Sequence, residues 1–341
     1  MLILNQPFHP DVVATAQIAK DLADDLVAMG HHVTAISSRS IYGRRGATLP
    51  KRETVDGVEI IRVGSNLFGK GSTVGRLLDF ASYYFQAAFR GLTMERFDAV
   101  VCLTTPPYIA LAGLLQKALR DTRVVYWLMD VYPDVMVAHD MLAERSVLHR
   151  ALARLHLFVL KRVDATVVLG RCMKRRLVDQ GADPSRIDVV PVWSVSDDAS
   201  PATSRLENSF RRRWGVGDRT LVMYAGNFGL AHDVETFLGA AEALRDDDRL
   251  RFAFVGGGKR KAEVDAYVRD RGLANCVLDE YQPREALGEL LTAADAHLVT
   301  MLPRWWGLVV PSKFYGVAGA GRAAVFIGPT ESEIAQSIDE W

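Results

Sequence analysis

Cysteine is scarce in this chain: three in 341 residues, Cys102, Cys172 and Cys276, far apart and flanked by apolar residues. Such thiols read as reduced core side chains, which excludes a disulfide scaffold and a paired-cysteine zinc site and points to a reducing cytoplasm. No HExxH or other metal-ligand spacing occurs. Long hydrophobic runs are missing too. The longest apolar stretch, Ala99 to Leu115, is broken by Pro106-Pro107, so no segment reaches bilayer length, and the N-terminus carries no signal-peptide pattern. A soluble or peripheral protein is expected. Net charge is absent as well, with 41 Lys and Arg against 41 Asp and Glu.

What is present is an ordinary globular composition, 49% hydrophobic and 24% charged, at a length that predicts two domains. The charge is unevenly placed. Residues 1–195 hold 24 basic against 19 acidic side chains (+5), which leaves 17 against 22 (−5) for the remainder. Such halves often meet different partners.

Apolar runs alternate with segments of helical period: Leu2 to Leu4, Val33 to Ser37, Val58 to Val63, Ala99 to Leu103, Val124 to Leu128, Ala165 to Leu169 and Ile187 to Val190. This is the signature of a parallel sheet covered on both faces. The polar stretch Ser194 to Ser204 interrupts it, and the alternation then resumes with strands at Leu221 to Ala225, Arg251 to Val255, Val277 to Leu278, His297 to Thr300 and Ala324 to Ile327. The expected organisation is an α/β protein of two doubly wound domains, 1–193 and 205–341, joined by a linker over 194–204. In such sheets ligands bind beyond the carboxyl ends of the strands, so a cleft between the domains is the expected site. The last helix, Ser332 to Ile338, ends almost at the last residue, so the second domain is expected to be incomplete there.

Three glycine turns close strands of the second domain: Gly226-Asn227, Gly256-Gly257-Gly258 and Gly321. Glycine lets a backbone approach a bound group and supplies N–H donors to phosphate, although a tight strand-to-helix turn needs it equally. Pro311-Ser312-Lys313 opens a helix and brings a cation and free N–H groups to one helix N-terminus, an anion site in outline. Lys259, Arg260 and Lys261 open another helix, where cations oppose the dipole, a cost expected where an anion is held; a solvated basic turn is the plainer reading. In the first domain Asp130 follows a buried strand, with Asp134 four residues on, placing a carboxylate where it can orient or deprotonate a hydroxyl or else cap a loop. Arg39, Arg44, Arg45, Lys51, Arg52 and Lys70 lie ahead of an aromatic-rich helix, Leu77 to Phe89. Basic loops beside such a helix suit an anionic membrane face, and packing into the domain explains the aromatics equally.

With these residues in view the chain resembles the retaining nucleotide-sugar glycosyltransferases of family four, which have the two-domain GT-B fold. The resemblance spans the whole chain and rests on Gly30-His31-His32-Val33-Thr34, Ala165 to Leu169 with Gly181, Ile187 to Pro191, Val255 to Gly258, Tyr281-Gln282-Pro283, Ala294-Asp295, and the Pro311-Ser312-Lys313 helix with Ala320-Gly321. The Asp130-Val131-Tyr132-Pro133 segment and the Pro-Ser-Lys helix look most like the branch that builds bacterial surface polysaccharides of O-antigen, capsule and colanic acid type.

The chain departs from that pattern in four places. The family's paired glutamates fall on Leu308 and Gly316, and its diphosphate-binding arginine and lysine fall near Asn227 and His232. Val12-Val13-Ala14-Thr15 replaces the glycine-rich loop after the first strand, and the C-terminal segment that returns to the first domain is missing.

The resemblance implies transfer of a hexosyl or N-acetylhexosaminyl unit from a UDP- or GDP-sugar to an acceptor hydroxyl with retention, without a metal or other cofactor. It places the leaving diphosphate against Gly226, Asn227, Gly257, Lys259, Lys313 and the N–H groups after Ser312, with Arg304 nearby. Asp130 would orient the acceptor, and Tyr281-Gln282-Pro283 would receive the nucleobase. The implied acceptor is a lipid-linked saccharide reached by peripheral contact with the inner face of the plasma membrane; nucleic acid is not an expected partner. A catalytically inactive GT-B protein that binds a nucleotide sugar or a partner enzyme is the alternative. A dinucleotide oxidoreductase is disfavoured, since no G-x-G-x-x-G follows the first strand.

Overall fold

Short strands that are apolar on both faces and alternate with helices pair in parallel, because only helices packed on each face remove them from water. The computed structural model describes residues 1–11, 13–41, 49–64, 73–194, 205 and 207–340. The chain divides into two units, residues 1–191 with 307–309 and residues 192–306 with 310–341. Of the expected linker only Ser194 lies among the described residues; Val12, Arg44, Arg45 and Lys70 lie outside them.

The first unit runs β1 (Leu2–Leu4), α1 (Ala14–Ala28), β2 (Thr34–Ser38), β3 (Arg52–Val55), β4 (Val58–Val63), α2 (Thr73–Thr93) and β5 (Ala99–Cys102). It continues through α3 (Ala110–Arg120), β6 (Arg123–Leu128), α4 (Asp134–Ala138), α5 (Val147–Leu160), β7 (Ala165–Val168), α6 (Arg171–Asp179) and β8 (Ile187–Val189). Its sheet has the order β3-β4-β2-β1-β5-β6-β7-β8. Central β1 is fully buried, and Leu4 aligns with Ile36 of β2 and Cys102 of β5. The chain order reverses between β1 and β5, and it is beyond the carboxyl ends of strands at such a switch point that doubly wound sheets bind ligands.

One strand was not expected. Edge strand β3 is antiparallel to β4, so the first sheet is not wholly parallel. Its residues alternate between exposed and half-buried and offer no apolar run. The readable signal was the turn: Asp56-Gly57, both at positive φ (51° and 82°), is a two-residue hairpin loop of the primed kind.

The second unit comprises α7 (Ser209–Arg213), β9 (Thr220–Asn227), α8 (Glu235–Ala243), β10 (Leu250–Gly257), α9 (Lys261–Asp270) and β11 (Cys276–Asp279). After these come α10 (Leu287–Ala293), β12 (Ala296–Thr300), α11 (Lys313–Gly319), β13 (Ala323–Ile327) and α12 (Glu333–Glu340). Its sheet is all parallel, in the order β11-β10-β9-β12-β13. One face is an aromatic cluster of Tyr224, Phe228, Phe237, Phe252 and Phe254; Leu221, Met223, Ala253 and Val255 pack on the other against Phe210 and Leu290. Asp295, part of the Ala294-Asp295 motif, is a latch: it accepts from Leu221 N and from the buried Arg211, and pairs with Arg205. Arg211 in turn donates to the carbonyls of Ala293, Gly217 and Arg219.

Candidate functional site

Strands β9 and β10 run side by side to their last residues, with Gly226 opposite Gly256 and Asn227 opposite Gly257. The two turns beyond them interlock. Phe228 N donates to Gly257 O at 2.7 Å and Arg260 N donates to Phe228 O at 2.9 Å. A Cβ on Gly256 would sit 2.0 Å from Gly226 O, and one on Gly258 would sit 2.3 Å from Asn227 Oδ1. With φ of +132°, +128° and +129° at Gly226, Gly256 and Gly258, these glycines first serve the approach of one backbone turn to the other. Tyr281 lies over the pair: its ring edge falls 2.9 Å from where a Cβ of Gly257 would be, while the residue stays 60% exposed. An exposed aromatic face fixed against a glycine turn is a platform for a planar ring. Neighbouring Gln282 turns its amide back to Glu280 O.

Lys313 opens α11, preceded by Ser312, whose side chain caps nothing. Rather than extending outward, the lysine folds onto β9. Its Nζ stands 3.4 Å from the centroid of the Tyr224 ring, and it lies 3.7 Å from the place a Cβ of Gly226 would occupy. Nζ is buried, and no described residue accepts a hydrogen bond from it. Burial holds its amine well below the ordinary lysine range. His232 packs edge-on against the same tyrosine at 5.7 Å. Its Nδ1 donates to Thr300 O at 2.7 Å, and burial above all pushes it down to about 3 against the pull of Thr300. The ring is therefore neutral at physiological pH. Asn227 completes the group, its carbonyl accepting from the Tyr224 hydroxyl at 2.8 Å.

The basic run after the triple glycine divides. Arg260 forks to Glu235 and Glu263 and donates to His232 O, and Lys261 pairs with Asp265 at 2.6 Å. Their charges are already matched within the unit, so the cost that suggested an anion there does not arise from them. Lys259 alone is exposed on the turn, and Arg304 is exposed on the 3-10 turn Pro303–Trp305. The second unit thus gathers Gly226, Asn227, Gly257, Tyr281 and Lys313. Tyr224 is the member that sequence reasoning missed; its signal was an aromatic on a core strand two residues ahead of the glycine turn.

In the first unit Asp130 follows β6, half-buried, and accepts no hydrogen bond from a described residue. Burial pushes its carboxyl up to about 6. Asp134 is different in kind: it accepts from Arg176 at 3.0 Å and Gln180 at 2.7 Å and meets His149 at 3.2 Å, a fully engaged structural carboxylate. Between the two aspartates, Val131 N donates to Leu308 O at 3.0 Å, which ties the segment Gly307–Val309 to this unit. Leu308 is buried and apolar where the resemblance expects a glutamate, and Gly316 has only Leu291 and Ser194 side-chain atoms near the place of a Cβ.

Two doubly wound units, with glycine turns at the strand ends of the second, define the class: this is a GT-B fold. WaaG, a glycosyltransferase involved in lipopolysaccharide biosynthesis, matches with a TM-score of 0.66 at 19% identity, covering 99% of this chain and 83% of its own. Anabaena HepE, solved in complex with UDP and glucose, matches with a TM-score of 0.62 at 14% identity, over 99% and 88%. The family described as glycosyl transferase 4-like domain matches residues 14–193, and the chain belongs to it. Among curated relatives, WcaI of Escherichia coli K12, assigned as a colanic acid biosynthesis glycosyl transferase, is 24% identical over 358 residues, 98% of this chain and 85% of its own. WbjE of Pseudomonas aeruginosa, assigned as a glycosyltransferase, is 27% identical over 249 residues, 72% and 61%. The protein is a glycosyltransferase.

Proposed function

We propose that the protein transfers a sugar from a UDP- or GDP-sugar to an acceptor hydroxyl, with retention and with the nucleoside diphosphate leaving, in the building of a bacterial cell-surface polysaccharide. The observation that carries this reading is Lys313 Nζ, buried on the Tyr224 ring beside Gly226 with no acceptor among the described residues. Charge grows on the diphosphate as the glycosidic bond breaks, and a preorganised cation in a dry site stabilises it most where that charge develops. Asn227 and the N–H groups of the glycine turn supply further donors, with Lys259 and Arg304 as outer cations. Tyr281 is the platform for the nucleobase, flanked by Gln282. The leaving phosphate can take the acceptor's proton, while Asp130 orients the acceptor hydroxyl. No metal enters this scheme, so turnover should survive a chelator.

Titration of the intact protein with UDP and GDP tests the site. Lys313→Ala should weaken whichever nucleotide binds by about 1.5 to 3 kcal/mol, the range for a charge-assisted hydrogen bond. Unchanged affinity would remove Lys313 from the donor site. The anomeric configuration of the product, read by NMR, decides retention.

A second reading rests on Leu308 and Gly316, which put no carboxylate at either glutamate position: a GT-B protein that holds a nucleotide sugar without turning it over. Donor binding without turnover on any lipid-linked or free saccharide would favour it.

The lipid-linked acceptor and peripheral membrane contact belong to the same proposal. They are supported by the +5 charge of residues 1–195 and by an outward apolar stripe on α2.

A further inference from the structure

We propose that Lys313 takes up a proton when a nucleoside diphosphate binds beside it, so that donor binding is linked to protonation of one buried amine. This rests on the donor site assigned above.

The argument starts from what surrounds Nζ. From β9 it meets the face of Tyr224 at 3.4 Å and the bare backbone of Gly226. The titratable and charged groups on the neighbouring elements are His232 after β9, His297 on β12 and Arg260 ahead of α9. His232 is held neutral on Thr300 O and His297 on Leu291 O, and the positive Arg260 is already matched by Glu235 and Glu263. No carboxylate among the described residues forms an ion pair with Lys313, in contrast to Lys20 with Asp24 and Asp56 or Lys261 with Asp265.

An ammonium taken from water without an anion or acceptor is strongly disfavoured, and a lysine in that position sheds its proton. The tyrosine face returns only part of the lost hydration. Burial lowers the amine accordingly. A diphosphate reverses this: it brings an opposite charge and acceptor oxygens to an amine that burial alone has stripped of its proton. Gly226 leaves bare backbone beside the amine, where a Cβ would stand 3.7 Å from Nζ. The two positions where the resemblance expects fixed cations fall near Asn227 and His232, both neutral here. Lys259 and Arg304 aside, the inner charge that meets the ligand is then made on arrival.

Calorimetric titration of the intact protein with UDP and GDP, in buffers of different ionisation enthalpy, reads the protons exchanged. At a pH of about 8.5 the nucleotide phosphate is fully ionised, since its second pKa is about 6, so uptake reports the protein. The wild type should take up between about half and one proton, and its affinity should fall as pH rises toward the ordinary lysine range of about 10. Lys313→Arg, permanently charged, should bind with no uptake, and Lys313→Met should bind more weakly with none. Binding by the wild type with no buffer dependence overturns the proposal, as does uptake that persists in Lys313→Arg. If neither nucleotide binds a folded wild-type protein, the donor-site reading fails, and this inference falls with it by a distinguishable route.

Discussion

Asp130 and Asp134 stand four residues apart and show how far a carboxylate's surroundings decide its role. Asp134 has an arginine, an amide and a histidine around it and is part of the scaffold. Asp130 has no such partner among the described residues, and its carboxyl is raised from 3.8 to about 6 by burial. A native group that holds its proton more tightly than the unfolded chain does lowers stability as pH rises through the interval between the two values. The cost is therefore absent below about pH 4, complete above about pH 6, and about 2 to 3 kcal/mol in size. Asp130→Asn should remove it: the variant should melt higher than the wild type at pH 7.5, and the difference should vanish near pH 4. Turnover should fall in the same variant while donor affinity stays nearly intact, because an acceptor-side group acts only once the acceptor is bound. A variant that is more stable and less active marks a residue kept for function. Loss of donor affinity in Asp130→Asn would place the residue in the other subsite.

At the scale of elements, the glycines separate into kinds that look identical in sequence. Gly256→Ala drives a methyl onto Gly226 O in a left-handed backbone, and should cost about 3 kcal/mol or more or prevent the second unit from folding. Gly239, exposed in the middle of α8 with nothing near its Cβ position, is the control: Gly239→Ala should stabilise by about 0.5 to 1 kcal/mol. Chemical denaturation of both variants checks the pair.

The same contrast shows what the sequence could reveal. Strand and helix alternation is carried by apolar periodicity, a local quantity, so most elements lie within a residue or two of expectation, from Leu2–Leu4 to Ala323–Ile327. Half-exposed β3 escaped because edge strands need no apolar run, and the helical period over 285–294 spans two elements, a 3-10 turn, Arg284–Ala286, and α10. The glycine turns were readable as turns, whereas their being packed on each other was not, since that depends on β9 and β10 being neighbours. Likewise the helical period shows which face Lys313 occupies, but not that an aromatic ring lies beneath it.

For the molecule as a whole, the uneven charge and helix α2 bear on where the enzyme works. Among the described residues no helix is long and apolar enough to cross a membrane. The aromatic-rich helix admits two readings, core packing and lipid contact, and its side chains separate into buried and exposed ones. Tyr83 and Ala87 are fully buried, with the Tyr83 hydroxyl donating to Ile36 O at 2.6 Å. Leu78, Phe85 and Phe89, spaced seven and four residues apart on one helix face, are 44%, 78% and 65% exposed. Arg90, Lys51 and Arg52 are exposed in the same unit. An apolar stripe in a positively charged domain fits an anionic lipid surface, where each nearby Lys or Arg contributes about 1 kcal/mol and the aromatics enter the headgroup boundary. Salt screens the first of these contributions and leaves the second. Sedimentation with anionic vesicles should therefore decline as salt is added and when Arg44, Arg45, Lys51 and Arg52 are replaced by Ser. Phe85→Ser with Phe89→Ser should reduce the salt-resistant remainder, and neither set should alter nucleotide affinity. Equal recovery with neutral and anionic vesicles would refute the electrostatic part, and an undiminished remainder in the Phe85 and Phe89 variant would take α2 out of the contact.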